Sequence, residues 1–104
     1  MLISIYLIIQ KQFSNHAIQQ FTLAANHAKK DITLNDNTQI NIAAGSSIVY
    51  DENFGKLNRN VILHGSAYFT VKHSDTLPFI VDLGNVFVKD LGTKFNITLS
   101  ADTD

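Results

Sequence analysis

Apolar and polar residues alternate along much of this chain. Between residues 61 and 71 the odd positions are apolar or small, and the even positions are mostly polar, with Ile62 and Tyr68 as exceptions. The same alternation returns between residues 91 and 99. A period of two is typical of β-strands that bury one face and leave the other in water. The pattern therefore predicts a β domain, and it does not by itself indicate a function.

Glycine, proline and paired turn residues divide the alternating runs. Asp36-Asn37 and Gly84-Asn85 each separate two short runs and predict tight hairpin turns, since these residue types tolerate positive φ. The run over residues 60–72 is longer than an ordinary strand, so Gly65 predicts a bend or bulge within it. Pro78 suits the start of a strand. Short strands and tight turns together predict an all-β fold of antiparallel strands and hairpins, arranged as a sandwich or a solenoid-like stack.

The alternation also predicts which side chains form the core and which face outward. The predicted core side chains are Leu63, Phe69, Val71, Phe79, Val81, Phe95 and Ile97. The outward face of the long run carries His64, Ser66, Tyr68 and Thr70. This outward face has neither a charge bias nor a catalytic constellation, which suits contact with another protein.

Residues 14–30 allow two interpretations. Ser14 would cap a helix whose one face carries Ile18, Phe21, Ala25 and Ala28. Alternatively, Phe21 and Leu23 alternate with polar neighbours as in a strand, and residues 25–27 form a turn. Local propensity favours the helix, and the residues alone leave the choice open.

The N-terminal segment is almost continuously apolar from residue 2 to residue 9. It is shorter than the ~20 residues that a membrane-spanning helix needs, and it lacks the basic start and the cleavage site of a signal peptide. Two interpretations remain. The segment is either an apolar element packed on the domain or the outer end of a transmembrane helix whose first part precedes this chain.

Composition and the absence of known motifs argue against several classes of function. Apolar residues make up 45% of the 104 positions and charged residues 16%, as in a folded globular protein. A net charge of −1 argues against a nucleic-acid partner, and the absence of cysteine excludes disulfides and thiolate metal sites. No nucleotide-binding or hydrolase motif is present. We therefore predict no catalytic, cofactor-binding or metal site, since no ligand spacing connects the four histidines, His16, His27, His64 and His73.

An ordered set of motifs in the second half of the chain resembles the FecR family. The motifs are His-Gly-Ser-Ala-Tyr-Phe-Thr-Val at 64–71, Pro-Phe-Ile-Val at 78–81 and Leu-Gly-Thr-Lys-Phe-Asn-Ile at 91–97. Residues 32–38 and 43–54 resemble the preceding segments of that family. Two residues depart from the pattern. Ser66 stands where the family usually has a glutamate, and Asn37 stands where it has a turn glycine.

The resemblance implies a fold and a division of the chain. It implies strands at residues 19–24 and 29–35, and thus a β domain over residues 19–99. An N-terminal apolar segment, residues 1–18, precedes this domain, and local propensity leaves a helical extension open over residues 13–18. A short tail, residues 100–104, follows it. The resemblance also favours the transmembrane interpretation of the N-terminal segment, because a single membrane helix precedes this domain in the family.

The function that the resemblance implies is regulation of a sigma factor. FecR-like proteins are anti-sigma regulators anchored in the inner membrane, and this part of them lies in the periplasm. The expected partners are the N-terminal signalling domain of a TonB-dependent outer-membrane transporter and, through a cytoplasmic segment absent from this chain, an extracytoplasmic-function sigma factor. A free-standing structural or glycan-binding β module is the alternative.

Overall fold

A computed structural model describes residues 17–99 of the chain. Within this range the protein is all-β and contains no helix, which confirms the predicted fold class. Residues 20–25 form a strand, so the helical interpretation is wrong for that part of residues 14–30, and the helical extension over residues 13–18 lies largely outside the described residues. The nine strands are β1 (Gln20–Ala25), β2 (Lys30–Thr33), β3 (Gln39–Ile42), β4 (Ser46–Asp51), β5 (Arg59–His64), β6 (Ala67–Thr70), β7 (Phe79–Asp82), β8 (Phe87–Asp90) and β9 (Lys94–Ile97).

The strands form two sheets that pack face to face as a sandwich. The five-stranded sheet has the order β1-β4-β5-β7-β8, and the four-stranded sheet has the order β2-β3-β6-β9. The strand pairs are antiparallel except β5 and β7, which run parallel with Arg59 opposite Phe79. This parallel pair arises because β6, which connects them, lies in the other sheet and returns the chain to its starting end. Alternation alone does not distinguish such a pair from a hairpin.

The core lies between the two sheets and draws side chains from both. Phe69 of the four-stranded sheet is fully buried, with its ring centroid 5.8 Å from that of Phe79 in the five-stranded sheet. Five of the seven predicted core side chains are buried. Phe95 and Ile97 are only half-buried because β9 is an edge strand, although Phe95 stacks on Phe69 at 5.0 Å.

The long alternating run over residues 60–72 is two strands in different sheets, so its prediction as a single strand is wrong. The predicted bend at Gly65 is confirmed, since Gly65 has φ +107° and the chain passes there from β5 to β6. A Cβ at this position would overlap the side chain of Ser46. The alternation continues across the bend because Leu63 before it and Ala67 after it point into the same core.

Both predicted hairpin turns are present. In the first, the Leu34 carbonyl accepts the Asn37 amide at 3.0 Å, and only Asn37 has a positive φ, of 70°. Asparagine tolerates this left-handed conformation better than most residues, which explains how it replaces a turn glycine here. In the second turn Leu83 N donates to Val86 O at 2.9 Å across Gly84-Asn85.

Candidate interaction surfaces

Arg59, the only fully buried charged residue among residues 17–99, forms a structural ion pair. Arg59 is 3% exposed, and one of its guanidinium nitrogens lies 3.1 Å from Asp36 Oδ2. The same guanidinium donates to the carbonyls of Leu77 at 2.7 Å and Lys72 at 2.6 Å. Its carbon lies 5.8 Å from the centroid of the Phe79 ring. The guanidinium of Arg59 therefore bonds to acceptors within the protein. This indicates that Arg59 helps to join the two sheets.

The histidines of the described chain lie at the surface. His73 Nε2 is 2.7 Å from Asp75 Oδ1, and both side chains are largely exposed. His64 ends β5 and His27 lies in the connection between β1 and β2, both also exposed, whereas His16 lies outside the described residues. Among residues 17–99 no group of three or more histidine, cysteine, aspartate or glutamate side chains is placed to hold a metal ion.

The predicted outward face of residues 64–70 is divided between the two sides of the sandwich. His64 belongs to the outer face of the five-stranded sheet, whereas Tyr68 and Thr70 belong to the outer face of the four-stranded sheet. The chain changes sheets between them at Gly65. The prediction of one continuous contact face is therefore wrong.

Ser66 lies at this change of sheets and joins three segments. Its amide donates to Ser46 Oγ at 2.9 Å, and its own Oγ accepts the amide of Leu99 at 2.7 Å. Its carbonyl accepts the amide of Ala43 at 3.0 Å. A serine where the family usually has a glutamate therefore has a structural role in this chain.

The outer face of the five-stranded sheet carries an apolar stripe on strands β4, β5, β7 and β8. We use the term apolar stripe for Val49, Ile62, Ile80 and Phe87. Val49 lies directly opposite Ile62, and Asp82 lies between Ile62 and Phe87 in the same cross-strand row. The three aliphatic side chains are half-buried, and Phe87 is 67% exposed. A groove of about 230 Å³ follows the stripe, and Gln20, Asp51 and Asn60 contribute its polar lining.

The outer face of the four-stranded sheet is polar by comparison. Tyr68 lies between Asn41 and Asn96 in one cross-strand row, and Asn41 donates to Asp31 at 2.7 Å. Tyr68 is 39% exposed and is a large apolar ring among polar neighbours.

The two exceptions in the sequence alternation therefore mark opposite outer faces. Ile62 belongs to the apolar stripe, and Tyr68 belongs to the polar face. The sequence contained this signal, but the placement of Ile62 opposite Val49, and on the same face as Ile80 and Phe87, depends on strand order, which alternation does not reveal.

The fold and these surfaces define a class of protein: a small all-β sandwich domain with an apolar stripe on one outer face and a polar opposite face. The chain belongs to the FecR family, whose model, described as FecR protein, matches residues 22–104. This is a family of anti-sigma factor regulators and not of enzymes, and in the membrane-bound regulators its domain is periplasmic. No helix in the described part of the chain is long and apolar enough to cross a membrane.

Two crystal structures from Parabacteroides distasonis resemble the chain, both of a protein designated an anti-sigma factor. The first has a TM-score of 0.72 and 32% identity, and the match covers 81% of this chain and 40% of that one. The second has a TM-score of 0.71 and 32% identity, with coverages of 79% and 39%. The chain thus spans about 40% of the length of these solved structures. No curated protein matches the chain.

Proposed function

We propose that the chain is the periplasmic sensory segment of a transmembrane anti-sigma factor regulator. It receives a cell-surface signal from the N-terminal signalling domain of a TonB-dependent outer-membrane transporter. The regulator passes the signal through a single inner-membrane helix to an extracytoplasmic-function sigma factor, which its cytoplasmic segment binds. The segment works by protein recognition, without a catalytic step or a cofactor. Support comes from membership of the FecR family and from the likeness to proteins designated anti-sigma factors.

The observation that carries this proposal is the apolar stripe on the five-stranded sheet. An outer sheet face of a free-standing domain is normally polar, and here Phe87 is 67% exposed beside three half-buried aliphatic side chains. Large aromatic side chains that lose their water on contact dominate binding energies at protein interfaces. Asp51, Asp82 and Lys89 share this outer face and would orient a partner of complementary charge. The transporter's signalling domain is the proposed partner of this stripe.

The experiment measures binding of the regulator's whole periplasmic region to the signalling domain of the transporter encoded beside it. Isothermal titration calorimetry should give a dissociation constant that rises at least about tenfold for Phe87→Ala, since truncating an interface aromatic commonly costs more than ~1 kcal/mol. Tyr68→Ala is the matched control, because it removes an exposed aromatic from the opposite outer face and should leave the affinity unchanged. Equal effects of the two substitutions on the affinity would show that the apolar stripe is not part of the interface.

The 104-residue chain alone should bind the same signalling domain more weakly than the whole periplasmic region, because it spans about 40% of the solved relatives. Equally tight binding by this chain would locate the whole contact within it. Absence of binding by the whole periplasmic region would overturn the signalling proposal and favour a structural or glycan-binding module.

A further inference from the structure

The core of the sandwich is incompletely covered along its β8–β9 side. Among residues 82–99, none is fully buried, although apolar side chains recur throughout this range. Three of the eight large hydrophobic side chains that are exposed in the described chain lie here and do not belong to the apolar stripe: Val86, Leu91 and Leu99. Phe95 and Ile97 point from β9 toward the core and remain half-buried. The alternation of β9 therefore presents an apolar inner face that residues 17–99 cover only in part.

The pairing of β9 with β6 determines which backbone amides and carbonyls of β9 point away from the sheet. Val71 N donates to Thr93 O at 2.8 Å, which fixes the phase of the antiparallel ladder. Phe95 and Ile97 lie two and four residues further along, so their amides and carbonyls point toward β6. The amides and carbonyls of Lys94, Asn96 and Thr98 then point away from the sheet. Among residues 17–99 no strand pairs with these three outward-pointing residues, so their backbone groups are available to another strand.

We propose that β9 pairs with β9 of a second copy of this chain, antiparallel across a two-fold axis at Asn96. In this register Asn96 lies opposite Asn96 of the second copy and Lys94 lies opposite Thr98. All three outward backbone pairs then find partners. The inner-face side chains Phe95 and Ile97 lie opposite each other and extend the apolar core across the axis. The four-stranded sheets of two copies become one continuous sheet.

Charge favours a second copy as the occupant of this edge. Lys94 is the only charged side chain on β9, and the two-fold register places it opposite an uncharged Thr98, so no like charges meet. The edge strands β2 and β8 instead carry two charged side chains each, which is a common protection against edge pairing. The fourth edge strand, β1, carries no charged side chain, and it therefore serves as the comparison edge in the test.

The two edge strands with the fewest charged side chains, β1 and β9, provide a matched pair of variants. In an equivalent two-fold pairing of β1, Thr22 would lie at the axis, as Asn96 does for β9. Asn96→Lys would bring two lysines together at the β9 axis, whereas Thr22→Lys would do so only at the β1 axis. Both side chains are exposed, so both variants should keep the fold. Asn96→Pro removes an outward amide without disturbing the bonds to β6, and it tests the backbone pairing separately.

Sedimentation equilibrium of the 104-residue chain measures the dimer dissociation constant. The wild-type chain and Thr22→Lys should dimerise alike, and Asn96→Lys and Asn96→Pro should raise the constant more than about tenfold, with circular dichroism unchanged. A monomeric wild-type chain up to about 1 mM would overturn the proposal. So would an association that Thr22→Lys abolishes, or one that is insensitive to every substitution. The proposed transporter contact uses the outer face of the other sheet, so either proposal can fail without the other.

Discussion

Asp36 and Arg59 form a buried ion pair that joins the two sheets of the sandwich. Asp36 lies in the turn between β2 and β3, and Arg59 is the first residue of β5 in the opposite sheet. Their closest side-chain atoms are 3.1 Å apart, and the two side chains are 10% and 3% exposed. Asp36 also accepts the amide and hydroxyl of Thr38 at 2.9 and 2.7 Å. The carboxylate thus orders its own turn while it neutralises a cation from the other sheet.

Replacing Arg59 should destabilise the domain strongly. Arg59→Met should lower the free energy of unfolding by about 3–5 kcal/mol, because it leaves the buried Asp36 carboxylate without its cation. Arg59→Lys should also be destabilising, since an ammonium group lacks the planar set of donors that reaches several acceptors at once. Urea denaturation followed by circular dichroism measures both. Lys72→Met, which changes an exposed side chain nearby, is the control, and an equal loss there would contradict the role assigned to the ion pair.

Phe69 should behave as a core residue. It is fully buried, stacked on Phe95 at 5.0 Å and 5.8 Å from Phe79 between ring centroids, so Phe69→Ala should cost roughly 3–5 kcal/mol of stability. The neighbouring Tyr68, 39% exposed, provides the control, and Tyr68→Ala should cost less than about 1 kcal/mol. Chemical denaturation of the two variants side by side tests the difference. A loss below about 1 kcal/mol for Phe69→Ala would mean that the ring belongs to a surface.

The change of sheets at Gly65 should not tolerate a side chain. Gly65→Ala combines a φ of +107° with overlap of the new Cβ and the Ser46 side chain, and Ser46 Oγ is the acceptor for the Ser66 amide. Gly84 has a similar φ of +101° but no atom within 4 Å of a Cβ, so Gly84→Ala should cost only the backbone strain, about 1 kcal/mol. Gly65→Ala should cost on the order of 3 kcal/mol. Thermal melts measure both variants. Equal losses of stability would show that overlap with Ser46 does not contribute to the cost at Gly65.

The N-terminal apolar segment stays a prediction, because residues 1–16 lie outside the described part of the chain. If residues 2–9 are the outer end of a membrane helix, deleting residues 1–12 should leave the melting temperature of the domain nearly unchanged and improve its solubility. The physical reason is that apolar side chains suited to lipid have no partner on the folded domain. Differential scanning calorimetry of the full and shortened chains decides between the two interpretations. A large drop in melting temperature would show that the segment packs on the sandwich.

Much of the fold could be predicted from the sequence because it depends on local chemistry. The period of two is a direct consequence of strand geometry, so it identified the core residues Leu63, Phe69 and Val81 without any knowledge of their neighbours. The turns at residues 36–37 and 84–85 could be predicted because few residue types adopt positive φ. The half-burial of Phe95 and Ile97 was not readable, since it depends on β9 being an edge strand.

The tertiary structure alone decided how the strands are distributed between the sheets. Residues on either side of Gly65 bury the same kind of side chain whether the chain bends within one sheet or passes to the other, so the alternation is identical in both cases. The apolar stripe exists because strand order brings Ile62 beside Val49 and within two strands of Phe87. The pairing of Asp36 with Arg59 joins residues that no local pattern connects. Such contacts are selected by the packing of the whole chain, and short-range sequence patterns therefore carry no record of them.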